Sequence, residues 1–513
     1  MFRRLFVSAL VSAVALSTLA GTGQAAVAPA LSWAPCQEGK PGECATVQVP
    51  VDWNDPDGEK LGVVIGRVKA TEPEHRIGVL FLAPGGPGQS GIDIFTLGRS
   101  RLSTGELSKR FDVVTWDQRG VGRSNEVKCS VDLLNRWPAD YPSSEQAYQD
   151  LLAYNAKLGA DCRRHTGPVF DHVDTLSAVR DLDAIRAALG EEKISLHGTS
   201  YGTQVGQQYA ELFPNRLRAM ALDSNMDHSI TSAGRYLTTA SADLEASFNA
   251  FADWCARTAN CPLHGQDVRA RWDALHAKAE AGTLTDPGTG QVISANALRN
   301  ELFRAMYGPS SSWYGIATRL RSLSEGSGTA PSPMTKTAAT GELAGNSNQA
   351  IWCGDWKWRV NGYRDLKAFR EQAAAVAPHT KLIGYWSDVT QCLGWPGKVN
   401  NPQHRLSIRD APKILILKSA ADVGTPSAWN FAAARQIRNS VLLSYDGVGH
   451  AQYWQSPCMQ AHTDRYLIDL VTPAPGTHCA AVYPTAPPAT VSVAEAAPAA
   501  ASQHLAGRSG MAV

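Results

Sequence analysis

The sequence predicts an α/β fold, a mainly parallel sheet covered on both faces and interrupted by a large helical insertion. Three observations predict it. Between residues 62 and 223, short apolar runs alternate with segments of helical spacing. From about Asn225 to Asp410 the segments read as helices and loops. At Lys413 the strand–helix alternation returns.

Ile77 to Leu82 (IGVLFL) is a continuous apolar run closed by Ala83-Pro84-Gly85-Gly86-Pro87-Gly88, which reads as a buried strand and a tight loop. Phe111 to Trp116 (FDVVTW) is the next strand. Asp174 to Leu189 carries Leu176, Val179, Leu182, Ile185 and Leu189 at helical spacing, with Gly190 as its stop. Lys193 to His197 and Leu217 to Leu222 are strands flanking a helix from Tyr201 to Phe213. After the insertion, Lys413 to Leu417 (KILIL) and Val441 to Ser444 are strands, with a helix near Ser427 to Ile437 between them.

One α/β unit with an insertion accounts for 513 residues more economically than three separate domains. The expected divisions are a signal peptide at 1–25, a first core part at 26–224, a mostly helical cap at 225–410, a second core part at 411–483 and an Ala/Pro-rich tail at 484–513. Apolar residues make up 44% and charged residues 19%, which excludes a disordered chain. The net charge of +1, from 48 Lys+Arg against 47 Asp+Glu, argues against nucleic acid or an anionic membrane as main partner.

Arg3 and Arg4 followed by the apolar stretch Leu5 to Ala20 have the form of a secretory signal, with Gly23-Gln24-Ala25 as the cleavage site. The mature chain is expected outside the cytoplasm, secreted or periplasmic, with no stable membrane insertion, since no later segment reaches ~18 apolar residues. Export makes disulfides plausible for the ten cysteines. The sequence-close pairs are Cys36/Cys44, Cys129/Cys162, Cys255/Cys261, Cys353/Cys392 and Cys458/Cys479, although spacing does not determine connectivity. There is no Cys-x-x-Cys and no His-Glu-x-x-His, so no metal and no cofactor is expected.

The strongest motif is Gly198-Thr199-Ser200-Tyr201-Gly202, between a predicted strand and a predicted helix. That is the setting of a nucleophile elbow, in which a sharp turn presents the Ser200 hydroxyl above the sheet. A serine needs a base, and the base needs an orienting carboxylate. The chain order Ser, acid, His selects Asp422, on the loop after KILIL, and His450, in Gly447-Val448-Gly449-His450. Asp446 is the rival acid. Gly86 and Tyr201 are the expected N–H donors to an oxyanion. Asp117-Gln118-Arg119-Gly120-Val121-Gly122-Arg123-Ser124 reads as a brace for loops beside the site. Gly86-x-Gly88-x-x-Gly91 matches a dinucleotide fingerprint in form, but Pro87 stiffens the turn and no ribose-binding acid follows.

At PGGPG (84–88), DQRGVGRS (117–124), GTSYG (198–202), the Asp422 segment and GVGH (447–450), the chain resembles the α/β-hydrolase superfamily. Within it the chain resembles the secreted serine aminopeptidases of the prolyl/tripeptidyl aminopeptidase family. The segment from about Lys381 to Cys479 looks like the C-terminal region of the tripeptidyl aminopeptidases. The resemblance implies cleavage of short peptides from a free N-terminus, and a monomer is expected. It also implies carboxylates that pair the substrate ammonium, for which Asp355, Asp223 and Asp227 are candidates, with Trp352 and Trp356 as pocket walls. A carboxylesterase or lipase with the same residues, and a noncatalytic binding protein on this scaffold, are the competing readings.

Overall fold

In the computed structural model of the protein, residues 31–97, 105–139, 141–308, 310–327, 339–381 and 385–486 are described. The expected signal peptide and the tail beyond residue 486 lie outside the described residues. Among the described residues the strands are β1 (Ala34–Pro35), β2 (Glu43–Pro50), β3 (Lys60–Val68), β4 (Gly78–Ala83), β5 (Phe111–Trp116) and β6 (Lys128–Ser130). They continue with β7 (Ile194–Thr199), β8 (Leu217–Asp223), β9 (Leu343–Gly345), β10 (Ile414–Ala421), β11 (Ser440–Val448) and β12 (His478–Cys479). Ten of them form one sheet in the order β1-β2-β3-β5-β4-β7-β8-β10-β11-β12.

Along that order, every pairing from β5 to β12 is parallel, while β1, β2 and β3 join antiparallel at one edge. The central parallel strands are continuous apolar runs because both of their faces are covered. In β10, Ile414 and Ile416 pack with Val179, Leu182, Ile185, Val205 and Tyr209 from the helices Thr175–Ala188 and Tyr201–Leu212. Leu415 and Leu417, the alternate residues, pack with Met459, Tyr466 and Leu467 of the helix Pro457–Asp469 on the other face. The period of two thus divides one strand between two cores.

A third core lies in the insertion between β8 and β10. The helices Ala233–Arg257, Val268–Glu280, Ala295–Tyr307 and Trp313–Glu325 bury Phe248, Phe251, Trp254, Trp272, Phe303 and Trp313 together. The insertion is not wholly a cap, however. β9 pairs with β6 of the first core part, and the helix Ser347–Asp355 buries Ala350 and Ile351 in the core itself. Asn348 donates to the Pro87 carbonyl at 2.8 Å and Ser347 to the Gly120 carbonyl at 2.5 Å. This helix therefore fastens the two glycine loops beside the site.

The ten cysteines form five disulfides: Cys36–Cys44, Cys129–Cys162, Cys255–Cys261, Cys353–Cys392 and Cys458–Cys479. Among the described residues, no helix is long and apolar enough to cross a membrane.

Candidate active site

Ser200 stands between the end of β7 and the helix Tyr201–Leu212, with φ 59° and ψ −126°. A non-glycine residue in that region is strained, and surrounding structure has to impose it. Part of the imposition is the Ser200 N–H, which donates to the Asp223 carbonyl at 2.9 Å. The flanking glycines leave no room for a side chain. A Cβ on Gly202 would lie 2.1 Å from the Ala83 carbonyl oxygen, and one on Gly198 would lie 2.5 Å from the Gly202 oxygen. A Cβ on Gly85 would meet the Cβ of Ser200 at 3.2 Å, so the loop after β4 lies directly against the serine.

The loops after β10 and β11 converge on the same sheet edge. His450 Nδ1 lies 2.8 and 3.0 Å from the two oxygens of Asp422. Asp422 also accepts the N–H groups of Gly424 and Thr425 at 2.7 and 3.0 Å and the Thr425 hydroxyl at 2.9 Å. Burial pushes the Asp422 carboxyl up, but the charge and hydrogen bond of His450 and the Thr425 N–H outweigh it and hold it below the ordinary value. Gly424 lies flat on the imidazole, where a Cβ would be 2.3 Å from Nδ1. The rival Asp446 is half exposed and pairs with His478 at 2.8 Å instead.

Asp223 ties the serine to the histidine loop. Its carbonyl holds the Ser200 N–H, and its carboxylate accepts the N–H groups of Gln452 and Tyr453 at 2.9 Å each. Burial pushes this carboxyl up to about 7. Next to it Ser224 accepts the Ala451 N–H at 2.8 Å. Both Ser224 and Ala451 have positive φ, 63° each, so strained backbone gathers here around the imidazole.

Tyr201 occupies the first helical position, whose N–H no turn of the helix can use. Gly86 has φ +109°, and a Cβ there would meet the Gly88 nitrogen at 3.0 Å. Of the two expected oxyanion donors, Tyr201 thus follows Ser200 at the head of the helix and Gly86 lies in the loop after β4. The DQRGVGRS loop braces them from below. Gln118 donates to the Tyr201 hydroxyl at 3.1 Å, Asp117 accepts from Ser90 at 2.5 Å, and the buried Arg119 forks onto Asp181 at 2.6 Å.

The expected ammonium acids are placed differently. Asp355 is fully buried beneath the site, where Thr175, Gln204 and Asn401 all donate to its carboxyl group. That leaves no face for a substrate ammonium, which corrects the sequence reading. Oδ1 of Asp227 accepts from the Ser229 hydroxyl and from Gln436, at 2.5 and 3.1 Å, and Asp223 holds the histidine loop. Trp352 and Trp356 stack at 5.0 Å inside the aromatic core of the insertion, and Trp352 donates to the Asp388 carbonyl at 2.8 Å.

Two residues of this region lie outside the sequence reading. Asp388 is buried, accepts the Tyr236 hydroxyl at 2.8 Å, and its charge acts on both Tyr307 and Tyr385. Tyr307 ends the helix Ala295–Tyr307, and its ring centroid lies 4.6 Å from that of His450. Neither carries a motif. Among the described residues the cluster with metal-ligand chemistry is Cys458, His462 and Cys479, and its two sulfurs are joined to each other.

Residues 382–479 match the family described as TAP-like protein. The chain is 29% identical over 485 residues to "Serine protease Hip1" of Mycobacterium tuberculosis, covering 88% of this chain and 91% of that one. It is 28% identical over 459 residues to "Tripeptidyl aminopeptidase" of Streptomyces coelicolor, covering 86% and 83%. It is 28% identical over 493 residues to "Carboxylesterase B" of Mycobacterium tuberculosis, covering 89% and 91%. The mostly parallel ten-stranded sheet is that of an α/β-hydrolase fold, and the similarity to the TAP-like family covers residues 382–479.

Proposed function

We propose that this TAP-like α/β hydrolase is an exported serine aminopeptidase that releases short peptides from a free N-terminus. The observation that carries the reading is the buried Asp422–His450 pair, held at 2.8 Å on the strand edge that also presents Ser200 at a strained elbow. His450 takes the Ser200 proton as the oxygen attacks the scissile carbonyl. Asp422, kept ionised, holds the imidazole tautomer and stabilises the imidazolium. The N–H groups of Tyr201 and Gly86 receive the developing oxyanion. His450 then protonates the leaving amine, and water, activated by the same base, resolves the acyl-enzyme.

The aminopeptidase part rests on the peptidase names among the relatives and on a buried acid of the insertion. Asp388 stands among Tyr236, Tyr307 and Tyr385, where its negative charge would pair a substrate ammonium better than water-exposed acids could. The five disulfides agree with an extracellular site of action. A carboxylesterase is the second reading, favoured by the relative of that name. Ser200→Ala tests the shared chemistry: kcat is expected to fall by at least ~10³-fold with folding intact. Near-normal turnover in that variant removes both readings.

A further inference from the structure

We propose that Tyr385 is a positioning residue of the reaction: from the insertion, its hydroxyl fixes the loop that carries Asp422 and with it the seat of the His450 imidazole. The proposal rests on the reading of Asp422 and His450 as the acid and base that serve Ser200.

The acid loop is built from its side-chain contacts. Asp422 to Pro426 join β10, which ends at Ala421, to the helix Ser427–Gln436, and no strand or helix covers them. The N–H groups of Gly424 and Thr425 turn inward to the Asp422 carboxylate, at 2.7 and 3.0 Å. The carbonyls of Val423 and Gly424 accept the Tyr385 hydroxyl, which lies 2.6 and 2.8 Å from them. Asp422 gathers the N–H side of the turn, and Tyr385 holds its carbonyl side.

At Gly424 the acid, the base and the insertion meet. Its N–H is on Asp422, its carbonyl is on Tyr385, and a Cβ on it would lie 2.3 Å from His450 Nδ1. His450 Nε2, the atom that would take the serine proton, is buried and has no hydrogen-bond partner among the described residues. The ring therefore takes its direction from Asp422 at Nδ1 and from the groups packed against it, Gly424 and the Tyr307 ring. Orienting the base is the task of the acid in a Ser-His-Asp site. A peptide at Gly424 that is free to turn changes both the acid's partner and the surface beneath the ring.

Tyr385 is itself firmly placed. It is buried at the head of the helix Trp386–Thr390, with its ring on Phe303 at 5.5 Å and on Tyr236 at 6.1 Å. Its own carbonyl accepts the Asp388 N–H at 3.1 Å. Burial pushes the phenol well above its ordinary value, so the hydroxyl stays a neutral donor. Asp388 and Tyr385 share this short segment but have separate tasks, the first toward the substrate ammonium and the second toward the acid loop.

The test is kcat and KM of full-length Tyr385→Phe, per folded protein by circular dichroism, on a free short peptide and on an activated nitrophenyl ester. Phenylalanine keeps the ring on Phe303 and Tyr236 and removes only the hydroxyl. We expect kcat to fall about tenfold or more on both substrates, the order that a misplaced reacting group costs, with KM little changed. The same substitution made in Asp422→Ala should cost less than about twofold, because the loop then carries no acid to place. Wild-type kcat in Tyr385→Phe overturns the proposal, as does a rise in KM confined to the peptide. An equal loss in both backgrounds, or a variant that does not fold, makes the hydroxyl a structural group and overturns it too. Wild-type kcat in Asp422→Ala alone would instead overturn the reading of the acid on which the proposal rests.

Discussion

The carboxylate of Asp243, on the first helix of the insertion, accepts the backbone N–H of Asp422 at 3.0 Å. The same oxygen takes the Ser427 N–H at 2.7 Å, so the loop that carries the acid is held from behind by the insertion. Burial pushes Asp243 up to about 6. Asp243→Ala leaves both N–H groups without their partner, at a cost of roughly 1–3 kcal/mol for each one that stays dry. We expect a lower melting temperature and a fall in kcat of about tenfold, on the order of one such lost contact, with KM little changed. Asp243→Asn, whose amide oxygen can still accept, should recover part of the kcat. Equal kcat in the alanine variant and the wild type would separate the insertion from the acid loop.

Two glycines make opposite predictions. Gly202→Ala drives a methyl group to 2.1 Å from the Ala83 carbonyl oxygen, which belongs to the rigid end of β4. Overpacking of this kind costs ~1–3 kcal/mol where side chains can yield, and here backbone must yield. The elbow should distort and activity should collapse. Gly315 lies in the helix Trp313–Glu325, where an added methyl group would find nothing within 4 Å. Gly315→Ala should stabilise the fold by ~0.5–1 kcal/mol through helix propensity alone. Chemical denaturation of the two variants checks both signs.

The pH dependence of stability carries the mark of Asp355. Burial, then the neighbouring Asp174, push its carboxyl from 3.8 up to about 8. The folded protein then keeps a proton that the unfolded chain releases, so this group makes stability fall as pH rises from about 4 to about 8. Urea unfolding at pH 5 and pH 8 should show a larger loss in the wild type than in Asp355→Asn, whatever the absolute stability of the variant. A parallel loss in both would mean that Asp355 is ionised throughout.

The parallel half of the sheet was legible because its strands are buried on both faces. Ile414 to Leu417 is apolar at every position, and such a run bounded by loop residues has few other readings. The elbow was legible because strand, Gly-x-Ser-x-Gly and helix follow in order. β2 was not read. It alternates Ala45, Val47 and Val49 inward with Thr46 and Gln48, the weaker pattern of a strand near a sheet edge.

The acids divide for a physical reason. A carboxylate that could pair a ligand and one that satisfies buried donors carry the same letter, and the donors that engage Asp355 come from Thr175, Gln204 and Asn401, far from it in sequence. Tyr307 is similar: helical spacing marks it as part of a buried face, and nothing local indicates that this face ends on His450.

Asp388→Asn tests the acid assigned to the substrate ammonium. KM for short peptides with a free amino group should rise at least about tenfold, the value of one charge-assisted contact of ~1.5 kcal/mol. Hydrolysis of a simple ester, which has no ammonium, should be nearly unchanged. Equal losses on both substrates would place Asp388 among the structural acids with Asp355.

Hydrolysis by Ser200 of peptides that present a free N-terminus is tested most directly by comparing one short peptide with its N-acetylated copy. The ratio of their kcat/KM values is the measurement. The free peptide is expected to be preferred by about 10²-fold or more, since acetylation removes the charge that a buried carboxylate has to meet. Equal kcat/KM for the two peptides would contradict the assignment.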